Sequence, residues 1–131
     1  MSNPKGRLFE LMVADPSPPG GVTGTVRLLV RQDNHEPYLR VKAMAKVGKF
    51  YQPIYKAISE AIRIHEEDWA EPRSFSIDLT YCPLGAQSIR VIVVGGRGQQ
   101  ATADVPPPAA EVLQEPPLWW RLLNAHRLGG G

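Results

Sequence analysis

Apolar and polar side chains alternate most regularly from Tyr38 to Val47. Leu39, Val41, Ala43, Ala45 and Val47 fall on one side, and Arg40, Lys42, Met44 and Lys46 on the other. A period of two predicts a strand with one face toward a core. Thr23 to Gln32 repeats the pattern, with Val26, Leu28 and Val30 opposite Arg27, Leu29 and Arg31. The polar QDNHEP at 32–37 predicts a turn, and the two strands most simply form an antiparallel hairpin. A second pair follows the same logic. Phe75, Ile77, Leu79 and Tyr81 alternate with Ser76, Asp78 and Thr80, CPLGAQ supplies a turn, and Ile89, Val91 and Val93 mark the core face of Ser88–Val94.

Between the pairs lies PIYKAISEAIRIHEEDW, Pro53 to Trp69. Ile54, Ile58, Ala61, Ile62, His65 and Trp69 recur at steps of three and four, which predicts a helix with one apolar face. Lys56, Ser59, Glu60, Arg63, Glu66 and Glu67 fall outside that stripe and are expected in water. Lys56–Glu60 and Arg63–Glu67 have the spacing of helical ion pairs. Pro53 suits a first helical position and Pro72 a stop. Glu66, Glu67, Asp68 and Glu71 would crowd the helix C-terminus, where the dipole prefers cations. They read as a solvated end or as an acidic patch for a basic partner.

Before the first pair, Arg7 to Val13 is a short apolar run that suits a strand, although Leu8, Leu11 and Met12 would also suit one helical turn. Residues 1–7 read as a flexible lead, and Pro16, Pro18, Pro19, Gly20 and Gly21 as a loop. The expected fold class is therefore α+β: a mainly antiparallel sheet in strand–strand–helix–strand–strand order, the helix packed on one face, and a C-terminal helical tail. The expected organisation is one domain over 1–95, a Gly/Pro-rich linker over 96–108 and the tail over 109–131.

Composition changes this picture little. A chain of 131 residues with 43% hydrophobic content is long and apolar enough for one modest core. The net charge of +2 points to no partner class, but its distribution is uneven. Arg27, Arg31, Arg40, Lys42, Lys46 and Lys49 dominate residues 20–50, and acids outnumber bases over 51–82. Cys82 is the single cysteine. It excludes an intrachain disulfide and a multi-cysteine metal site, and it is compatible with an intracellular location. No stretch approaches the length of a membrane span, and no signal peptide is expected.

Two surfaces offer a function. The outer face of the first hairpin would gather Arg27, Arg31, Arg40, Lys42 and Lys46 into a cationic patch. Such a patch could meet nucleic-acid phosphates or an anionic membrane surface, or could simply be a solvated strand face. The tail holds two short helical pieces separated by Pro116–Pro117. In the second, Leu118, Trp119, Trp120, Leu122 and Leu123 cover nearly every side, so this piece must bury itself on its own sheet, a second copy, a partner groove or a membrane interface.

No catalytic constellation is evident. Cys82 precedes a proline with no histidine at a motif spacing, and His35, His65 and His126 form no ligand set. Gly95-Gly96-Arg97-Gly98 follows a strand but does not lead into a helix, as a phosphate loop would. The closing RLGGG reads as a flexible end. The sequence thus predicts a non-enzymatic protein without cofactor or metal. It would bind a protein partner or self-associate as a homo-oligomer through its tail, with nucleic-acid binding or coat-like assembly on an anionic membrane as alternatives.

Overall fold

The computed structural model describes residues 8–15, 17–31, 38–94 and 101–124. Its strands are β1 (Phe9–Val13), β2 (Gly21–Leu28), β3 (Tyr38–Val47), β4 (Phe50–Ile58), β5 (Ile62–Arg63), β6 (Arg73–Asp78), β7 (Ser88–Val94) and β8 (Thr102–Val105), followed by one short helix, α1 (Leu118–Leu123). They form a three-stranded sheet in the order β1-β2-β6 and a five-stranded sheet in the order β4-β3-β7-β8, with β5 also on β3. Every pairing is antiparallel.

The inward side chains of both sheets build one core. Val22, Val26, Leu28, Phe75 and Ile77 come from the smaller sheet, and Leu39, Val41, Ala43, Ala45, Ile89, Val91 and Val93 from the larger. Burying each large aliphatic side chain contributes about 2 kcal/mol. Gly24 is required in β2 because a Cβ there would lie 2.9 Å from the Phe75 ring and would run into the Met12 carbonyl oxygen.

The α+β expectation is overturned: among the described residues no α-helix lies between the strands. Pro53 to Trp69 contains most of β4, then β5, then a 3-10 turn at Glu66–Asp68. A bulge explains the helix-like spacing. β4 pairs regularly with β3 up to Met44↔Pro53, and pairing resumes at Lys42↔Ile58, so residues 54–57 lie opposite Ala43 alone. Lys56 takes a left-handed φ of 58° there. The bulge resets the alternation, so Ile54 and Ala57, three apart, are both buried. Ser59, expected in water, is buried, whereas Ile58, Ala61 and His65, expected on the apolar face, are exposed. Tyr51, Ile54, Tyr55, Ile58, Ile62 and Ile64 are aromatic or β-branched, which suits a pleated surface better than a helix. Pro53 is tolerated because β4 is the edge of its sheet.

Both expected hairpins are also replaced. β2 and β3 belong to different sheets, as do β6 and β7, so CPLGAQ carries the chain across the core instead of reversing it within one sheet. A tight hairpin forms elsewhere, between β3 and β4, where Val47↔Phe50 closes on Gly48 and Lys49. Gly48 supplies the positive φ, 63°, that such a two-residue turn needs at its first position.

In the span expected as linker, residues 102–105 form β8, paired with β7. The proline-rich chain that follows is tied down as well: Leu113 packs on the core, and the Gln114 N–H donates to the Thr80 carbonyl oxygen at 2.8 Å. No helix among the described residues is long and apolar enough to cross a membrane. The lead at 1–7, the QDNHEP turn with His35, Gly95–Gly98, His126 and RLGGG lie outside the described residues.

Candidate binding surface

Pro116 and Pro117 set the entry to α1, and the N–H groups of Trp120 and Arg121 both donate to the Pro117 carbonyl oxygen at 3.1 Å. Asn124 closes the far end, its backbone N–H and its side-chain amide both donating to the Trp120 carbonyl oxygen. Six residues cannot hold a helix by local bonding alone. Packing holds it. The Tyr55 ring receives Trp119 and Trp120 edge-on, each with centroids 5.8 Å away, and meets Tyr81 at 5.1 Å. Edge-to-face pairs of this kind contribute about 1 kcal/mol each beyond the area they bury. The tail therefore folds back on the edge strand of its own larger sheet.

That docking covers one side only. Leu118 is 61% exposed, Trp119 59%, Leu122 66% and Leu123 68%. The result is an exposed hydrophobic and aromatic cluster at the C-terminal helix. Beneath it lies a recess of about 360 Å3 whose lining includes Pro53, Tyr81, Cys82, Leu84, Trp120 and Arg121. Arg121 is held 3.6 Å from Glu115.

The expected cationic patch is divided between the sheets. Arg27 on β2 pairs with Glu10 of β1 at 2.8 Å. Arg31 pairs with Glu66, so part of the acidic run is met from within the chain; Asp68 likewise pairs with Arg73 at 2.7 Å. Arg40, Lys42 and Lys46 do share a face, the outer face of the larger sheet, because they alternate with the buried residues of β3. Arg40 donates to the Ser59 carbonyl oxygen at 3.2 Å. Neither Lys42 nor Lys46 joins a salt bridge among the described residues.

Arg90, which the sequence analysis did not single out, joins that face. It lies opposite Met44 in register, its guanidinium covers the Tyr51 ring at 4.4 Å, and its Nε donates to Asp104 at 3.0 Å. That hydrogen bond, together with the nearby Lys46 charge, holds the Asp104 carboxyl below its usual range. Ile92, cross-strand from Lys42, is 8% exposed although it points outward. The aliphatic stems of long cations cover apolar neighbours in this way. The alternation of Ser88–Val94, which sets Ile89, Val91 and Val93 inward, contained the signal for Arg90.

Cys82 is buried, and its sulfur lies 3.4 Å from the Pro83 carbonyl oxygen. Burial pushes its thiol up to about 11, so it is protonated at neutral pH. Among the described residues, no three His, Cys, Asp or Glu side chains converge as a metal site would require. No protein-family model, curated protein or solved structure matches the chain.

Proposed function

We propose that this protein acts by binding and not by catalysis, as a small β-sandwich module that self-associates through the exposed face of α1. The observation that carries this reading is the half-covered helix. Its tryptophans anchor it on Tyr55, while Leu118, Leu122 and Leu123 remain open to a second surface. Soluble proteins seldom leave adjacent large apolar side chains uncovered unless something binds them. The cationic outer face of the larger sheet, with Arg40, Lys42 and Lys46, supplies a separate surface for an anionic partner. An intracellular setting agrees with the single free thiol.

The test is solution mass by light scattering over a range of concentrations, for the full chain and for Leu118→Ser/Leu122→Ser/Leu123→Ser. These side chains are exposed, so the variant should keep its strand signal in circular dichroism. The full chain is expected to form a concentration-dependent oligomer and the variant to remain a monomer. A full chain that stays monomeric throughout would overturn the reading.

A further inference from the structure

The two most exposed large apolar side chains in the described structure are not on α1. They are Phe50, 74% exposed, and Leu84, 77% exposed. Each stands on a tight turn. Phe50 follows Gly48 and Lys49 at the tip between β3 and β4. Leu84 lies in a turn closed by the Ala86 N–H donating to the Pro83 carbonyl oxygen at 3.2 Å. The turns lie at the same end of the molecule, since Gln87 donates to the Lys46 carbonyl oxygen at 2.8 Å and Lys46 pairs with Ser88. Apart from the adjoining residues of the chain, neither Gly48 nor Gly85 has a heavy atom within 4 Å of where a Cβ would stand, so both tips are open to the outside.

Cations flank these tips. Lys49 is exposed beside Phe50, and Lys46 is half-buried one step behind it. Arg90 lies over Tyr51 on the adjoining face. Two separated apolar side chains on projecting tips would bury little area against a folded protein. They have the form that enters a lipid interface, where short apolar insertions and neighbouring cations act together. The aliphatic Leu84 gains from hydrocarbon and has nothing to offer a nucleic-acid base. Tyr51, already covered by Arg90, is not free to stack on one.

We propose that this end of the sandwich docks on a bilayer carrying anionic phospholipid. Phe50 and Leu84 enter the acyl boundary, and Lys46 and Lys49 meet the headgroup phosphates. This goes beyond self-association through α1 and uses none of Leu118, Leu122 and Leu123, although Lys46 also belongs to the cationic face and Leu84 to the lining of the recess beneath α1.

The test is flotation of the full chain with phosphatidylcholine vesicles, with and without phosphatidylserine, beside two loop-tip variants, Phe50→Ser/Leu84→Ser and Lys46→Gln/Lys49→Gln. The wild type is expected to float only with the anionic vesicles and to release as salt rises. Each variant, with an unchanged unfolding midpoint, should bind roughly tenfold more weakly. Equal binding to neutral vesicles, or variants that bind like wild type, would overturn the proposal. So would the absence of vesicle binding, including the case where single-stranded RNA instead gives a salt-dependent shift lost in Lys46→Gln/Lys49→Gln. Vesicle binding by a strictly monomeric chain would uphold this proposal and reject self-association. A chain that oligomerises through α1 without binding vesicles would do the reverse.

Discussion

The Val41 amide donates to the Ser59 hydroxyl at 2.9 Å, deep beside the core. Ser59 returns its own amide to the Val41 carbonyl oxygen at 2.7 Å and its hydroxyl to Glu60 at 3.0 Å. One serine therefore ties the end of β4 back to β3 after the bulge has broken the ladder. Ser59→Ala would leave a buried amide without its acceptor. The expected loss is about 1–3 kcal/mol, read from urea unfolding. A loss of a few tenths would mean that the bulge holds without this bond.

Ser59 also shows where the sequence stops being informative. The strands β2, β3, β6 and β7 were legible because alternation identifies a strand and its inner face. Their partners were not, since Leu39, Val41, Ala43 and Ala45 point inward whether β3 pairs with β2 or faces it across a core. The bulge at Lys56 was hidden for a related reason. A left-handed residue inside a strand shifts the alternation, and the resulting spacing of Ile54 and Ala57 mimics a helix. In the tail, the need of Trp119 and Trp120 for a cover was evident from their crowding on one short helix. The cover itself, Tyr55, lay in a segment read as helical. Phe50 and Leu84 gave no periodic signal, because an apolar residue within or at the edge of a tight turn belongs to no stripe.

The close approach at Gly24 gives a test of the smaller sheet. Gly24→Ala places a methyl against the Phe75 ring, 2.9 Å away, and against the Met12 carbonyl oxygen. The backbone must shift to relieve it, so a loss of about 2 kcal/mol or more is expected in thermal or urea unfolding. Gly85→Ala, with open space around it, is the control and should change stability by no more than about 0.5 kcal/mol. Equal effects at the two positions would contradict the packing of Phe75 on Gly24.

The docking of α1 depends on Tyr55. Tyr55→Ala removes two edge contacts with tryptophans and one with Tyr81. The tail is expected to detach while the sheets stay folded. Tryptophan emission should move to the red, and amide exchange should quicken at 118–124. The midpoint of global unfolding should fall by little, because the buried cluster of the core does not include α1. If exchange at 118–124 is unchanged, another surface holds the helix.

Cys82 links stability to alkaline pH. Burial raises its thiol from an ordinary 9.0 to about 11. Between those values the unfolded chain has released the proton and the folded chain still holds it. Unfolding is then favoured by ionisation, so stability falls as pH rises through that window and levels off above it. Two units correspond to roughly 3 kcal/mol as an upper bound. The informative quantity is the difference between wild type and Cys82→Ala in a pH series of urea midpoints, which isolates the thiol. The variant starts lower, from lost packing, but its decline between about pH 9 and 11 should be shallower by that amount. The native thiol should also react slowly with a disulfide reagent until the protein is unfolded. Parallel declines in the two proteins, or rapid labelling of the folded chain, would show that Cys82 reaches solvent and that the wall it forms beneath α1 opens readily.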